Sequence, residues 1–168
     1  MSLTMYQATV PTCTRALNNL AAFLEKAAAY TQTRNIDPKV LLQTRLYPDM
    51  LPLSTQIHIA NDIAGGGAAR LAGAQVPACD GKDKTLAELI AATRGTVEYL
   101  ASVEPQQFEG AENRTVSWQT RTTSKNMQGM PYLFNHLLPN VYFHVTTAYD
   151  ILRQAGVEIG TQDYLGSG

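Results

Sequence analysis

His58 and Asp62 stand four residues apart, and Asn140 and His144 repeat that spacing late in the sequence. Residues four apart share one face of an α-helix, so each pair presents two polar groups side by side. Thr147 continues the second stripe. Two such stripes on facing helices can meet at one point inside a bundle, which is how bundle-core metal sites are assembled. Zinc takes neutral imidazole nitrogen or carboxylate oxygen and, in a catalytic site, keeps one position for water. His58 and His144 with Asp62 or Asn140 can supply three such ligands, Asp62 serving as ligand or general base. A plainer reading fits the same residues. A His with an Asp one turn away is often a hydrogen-bonded pair on a partly buried face, and Asn140 can satisfy backbone groups freed by Pro139. His136, beyond Pro139 from His144, reads as a surface or rim residue.

Other motifs carry less. The glycines at 65–67 are followed by Ala68-Ala69-Arg70, so they lack the Lys-Ser/Thr that ends a phosphate loop. They lie inside a helical pattern, where small residues let two helices approach closely. No GxSxG, HExxH or paired CxxC is present. The two cysteines read as a buried thiol at Cys13 and a loop thiol at Cys79 in a reducing compartment.

The elements that position these residues follow from periodicity. Tyr6, Val10, Cys13, Leu17, Leu20, Leu24 and Ala27 mark one face of a helix over residues 4–33. Thr4 and Gln7 form a capping box at its start, and Pro11 falls inside it. Asp37-Pro38 opens a short helix. A helix over 53–71 carries His58 and Asp62 and stops at Gly73. Thr85 and Glu88 cap the next, which ends at Pro105. Alternation of Val116, Trp118 and Thr120 with polar residues predicts a small β-ribbon near 113–127. The last helix, 131–155, carries Asn140 and His144, bends at Pro139 and closes at Gly156. The sum is an all-α chain, a four-helix bundle with a short extra helix and the ribbon as an insertion.

The totals set bounds. The chain has 168 residues, 45% of them hydrophobic and 16% charged, which suits a single domain over 1–168. Its 13 basic and 14 acidic residues give a net charge of −1 without basic runs, which argues against a nucleic-acid partner. No stretch is long and apolar enough to span a bilayer, and the opening MSLTMYQATVPT lacks the features of an export signal. A cytoplasmic protein with no membrane partner is expected.

The run from Leu138 to Gly166, LPNVYFHVTTAYDILRQAGVEIGTQDYLG, resembles the C-terminal signature of a domain-of-unknown-function family. That family is an outlying branch of the DinB/YfiT-like superfamily of metal-dependent proteins. TMYQATVPTCTRALNNLAAFLEKAAAY and YPDMLPLSTQIHIANDIAGGGAARLAG resemble the same family in the same order. The resemblance implies a DinB-like four-helix bundle, up-down-down-up and often a homodimer. It also implies a divalent metal such as zinc or nickel on three histidines, one from the second long helix and an H-x-x-x-H pair from the last. On that pattern His144 matches the second histidine of the pair, Asn140 the first, and His58 falls near the remaining ligand. Asn140 is a departure, because an amide oxygen is a poor ligand for zinc or nickel.

Two functional readings follow. One is a protein that binds a small molecule or has a degenerate site, without catalysis. The other is a divalent-metal-dependent hydrolase or thiol-dependent transferase centred on His58 and His144.

Overall fold

The computed structural model describes residues 3–78, 81, 85–120 and 122–166; Cys79 lies outside them. Helix α1 spans Met5–Arg34 and begins at the expected capping box. Gln7 N donates to the Thr4 hydroxyl at 3.1 Å, and Thr4 N donates to the Gln7 side chain at 3.0 Å, so two free donors are satisfied. Helix α2, Pro38–Gln43, follows the Asp37 cap. Helix α3, Leu53–Ala72, ends where Gly73 takes a φ of +67°, a left-handed turn that glycine adopts without a steric penalty. Helix α4, Leu86–Ser102, starts at the Thr85–Glu88 box.

The apolar stripes meet in one core. Leu17, Leu20 and Leu24 of α1, Ile57 and Ala64 of α3 and Leu89 and Leu100 of α4 are buried there. Helix α1 lies along α4, and α3 bridges α4 to the last long helix. The glycines at 65–67 serve close approach. A Cβ at Gly65 would stand 3.2 Å from Thr96 Cγ2 of α4, and one at Gly67 would overlap Leu137.

Strands β1, Thr115–Gln119, and β2, Ser124–Gln128, pair antiparallel with Val116 opposite Met127 and Trp118 opposite Lys125. The Arg114 guanidinium ties this ribbon to the end of α3 by donating to the Leu71 carbonyl. Cations suit that end, where carbonyls lack helical partners.

The last long helix was expected over 131–155 with a bend at Pro139, and the structure divides that run further. A short helix α5, Gly129–Tyr132, passes into a π-helical turn, Leu133–Leu137, and only then into α6, Leu138–Gln154. Pro139 explains the irregularity. It cannot donate a backbone bond and its ring crowds the carbonyl four residues back, so the preceding turn widens. A further helix, α7, Thr161–Leu165, was not expected. It is clasped to α1: Arg15 Nε donates to Leu165 O at 2.9 Å, Asn19 Nδ2 to Tyr164 O at 2.8 Å, and Lys26 pairs with Asp163 at 2.6 Å. The described residues are thus mostly helical, with seven α-helices and one two-stranded sheet. No helix among them is long and apolar enough to cross a membrane.

Candidate functional site

His144 is buried on α6 with 9% of its surface exposed. Its partner is Gln56 on α3, whose Oε1 lies 2.6 Å from Nδ1. Gln56 Nε2 donates to Leu51 O at 3.1 Å, which leaves Oε1 to face the ring. An amide oxygen only accepts, so His144 Nδ1 carries the proton. Burial lowers the pKa of this imidazole and favours its neutral form.

His58 stands on a different face of α3 from Gln56. Gln56 and His58 are two residues apart on α3, about 200° around the helix, so a side chain facing α6 from position 56 has its counterpart at 58 turned away. His58 instead lines a cavity against α4 and packs on Gly81, where an added Cβ would stand 3.0 Å from Nε2. Asn140 is engaged one turn back. Its Nδ2 donates to the His136 carbonyl and lies 3.4 Å from His136 Nδ1. Thr147 donates to Phe143 O within its own helix. The structure thus places His58 at the α3–α4 cavity, Asn140 against His136 and His144 against Gln56. Among the described residues no group of three or more His, Cys, Asp or Glu is arranged to hold a metal ion. The residues present do not fit the three-histidine cation centre implied by the resemblance.

His58 and Asp62 do share a face, as their spacing requires. With Asn61, Gly65 and Gly66 they form one wall of a cavity of about 290 Å³ between α3 and α4. Ala92, Gly95, Thr96 and Tyr99 form the opposite wall, and Pro77 and Ala78 close one side. Asp62 is exposed, while Asn61 is buried and bonded through Nδ2 to Thr93 Oγ1 at 3.0 Å. Asn61 and Thr93 escaped the sequence reading. The signal was there: Asn61 follows Ile57 by four residues, and Thr93 follows Leu86 and Leu89 by seven and four. Each is a polar residue on an apolar stripe.

A second polar cluster forms around the π-helical turn. His136, expected at the surface or rim, is half-buried and stacks at a tilt on Trp118, ring centroids 4.6 Å apart. Tyr132 packs on both rings. Burial lowers the His136 pKa, and Lys125 and Arg70 lower it further. Burial raises that of the Tyr132 phenol, which the Arg70 guanidinium opposes.

Comparison with known proteins adds the family. A model described as a domain of unknown function (DUF1993) matches residues 5–165. A crystal structure of a DinB family member protein from Shewanella denitrificans is 38% identical and superposes with a TM-score of 0.91. The match covers 98% of this chain and 93% of that one. A comparison with curated proteins finds no match.

Proposed function

The chain belongs to the DUF1993 family and is DinB-like, and from that premise we propose that it is a small-ligand-binding four-helix bundle without catalysis, its cation centre degenerate. The observation that carries this reading is the separate placement of the two imidazoles, His144 at the α3–α6 contact with Gln56 and His58 at the α3–α4 cavity. The Gln56 bond takes only Nδ1 of His144, and the donor pattern is broken instead by Asn140 in place of a histidine and by His58 facing the α3–α4 cavity. That cavity, with convergent polar groups between small-residue walls, is the ligand site in this reading.

Elemental analysis of protein purified without a histidine tag, after dialysis against zinc and nickel, tests the first half. Substoichiometric metal is expected, and one zinc or nickel per chain overturns the reading in favour of the metal-dependent enzyme. The second half is tested by ligand-induced thermal shifts across a library of small polar molecules. A complete absence of hits counts against a binding role.

The same reading makes the chain a cytoplasmic homodimer. Tyr142 and Phe143, large and exposed on α6, support a contact through that helix. Sedimentation as a single 18.3 kDa species at micromolar concentration would remove the dimer.

A further inference from the structure

We propose that the cavity between α3 and α4 takes a small organic ammonium, which donates N–H bonds to Asn61 and sets its positive charge beside Asp62. The inference rests on the reading of this cavity as a ligand site and adds the chemical class of the ligand.

The first support is an acceptor without a donor. Asn61 is 4% exposed, and its Nδ2 donates to Thr93 Oγ1. Thr93 uses its own hydroxyl hydrogen on Leu89 O at 2.9 Å, so its oxygen can only accept from Asn61. The orientation of the amide is thereby fixed, and the atom left over is Oδ1. It is buried and has no hydrogen-bond partner. An unpaired buried acceptor is costly, and Asn61 lines the cavity, so the complementary ligand group is a donor.

The second support is charge. Asp62 contributes a carboxylate to the same cavity, and among the described residues neither Lys nor Arg lines it. Arg70 packs over the lining residue Gly66 and directs its guanidinium to Tyr132, and it is not among the described lining residues. An ammonium satisfies both the acceptor and the carboxylate, whereas an anion would meet Asp62 unfavourably. The third support is size. A volume of about 290 Å³ lies at the small end of ligand sites, and Tyr99 adds an aromatic ring that favours a cation.

Three probes of one shape separate the possibilities: benzylamine, benzyl alcohol and benzoate, titrated into isotope-labelled protein near neutral pH and followed at the Gly65 and Gly95 amides. Two variants accompany them. Asp62→Asn removes an exposed charge. Gly95→Leu plugs the cavity from a position whose Cβ would meet nothing within 4 Å, and it replaces a poor helix former with a good one. Saturable binding of benzylamine is expected, about tenfold tighter than benzyl alcohol, because bonds to charged donors are the stronger ones. Benzoate is expected not to bind. Asp62→Asn should erase the preference for the amine, and Gly95→Leu should abolish binding. Equal or tighter binding of benzyl alcohol or benzoate, still lost in Gly95→Leu, overturns the ammonium class and leaves the cavity a ligand site. No saturable shift with any probe, or shifts that survive Gly95→Leu, overturns the cavity reading itself and reduces Asn61 Oδ1 to a hydration site.

Discussion

Gln56 Oε1 stands 2.6 Å from His144 Nδ1, and this contact between α3 and α6 decides which imidazole nitrogen holds the proton. The Leu51 carbonyl fixes the amide, and the amide fixes the ring. The same bond joins two of the long helices through a buried polar pair.

Removing one member of that pair should cost more than the bond itself contributes. Gln56→Leu leaves His144 Nδ1–H buried without an acceptor, and a loss of about 1–3 kcal/mol in unfolding free energy is expected. Denaturant titration of the two proteins checks it. Unchanged stability, with the histidine still in its Nδ1–H tautomer by nitrogen NMR, would mean that another group takes over.

Mild acid should weaken the fold through its buried histidines. Burial holds the pKa of both His136 and His144 below the ordinary 6.5. The unfolded chain therefore binds protons first as pH falls, and stability rises with pH wherever it does so. The histidine contribution is complete above 6.5 and is lost as pH drops from there through the depressed folded values. Stability should fall as pH drops below the unfolded value of 6.5. His144→Gln, whose amide can still donate to Gln56, should flatten that slope. An unchanged slope in the variant would remove His144 as its source.

Cys13 should be inert. It is fully buried, and desolvation pushes its pKa up to about 12, so almost no thiolate exists at neutral pH. Peptide-resolved alkylation should leave Cys13 unmodified in the native protein and label it after unfolding. Rapid native labelling would contradict the packing of α1.

Two glycines should respond in opposite directions to alanine. A methyl at Gly129 would overlap the Ala111 carbonyl oxygen, a backbone atom that cannot step aside. Gly129→Ala should cost about 1–3 kcal/mol, as overpacking does. Gly95 has open space in the same test, and Gly95→Ala in a helix should gain about 0.5–1 kcal/mol. Thermal unfolding of both variants is the check, and a stable Gly129→Ala protein would contradict the contact.

Much of this architecture was legible in the sequence because its causes are local. The Thr4–Gln7 and Thr85–Glu88 boxes, the Gly73 stop and the alternation around Trp118 each depend on residues a few positions apart. Helix α7 was not, since its five residues are too few to display a period. The site was legible only by halves. Spacing correctly put His58 beside Asp62, but a period of 3.6 says which side chains share a face and not which neighbour the face meets. His144 therefore met Gln56 instead of His58. The π-helical turn before Pro139 was hidden for a related reason. Proline signals that the regular ladder fails, and the surrounding packing decides whether the helix bends, breaks or widens.

The clasp of α7 on α1 joins residues 145 and 150 positions apart in the chain. Closing a loop of that length before the intervening helices have assembled brings an entropic cost with few contacts to offset it. The clasp is therefore expected to close late in folding, after the transition state. Variants that weaken it, such as Arg15→Ala or Asp163→Asn, should leave the refolding rate unchanged and appear as faster unfolding. On that account α7 acts as a kinetic latch, governing how long the native state survives and having little influence on how quickly it forms.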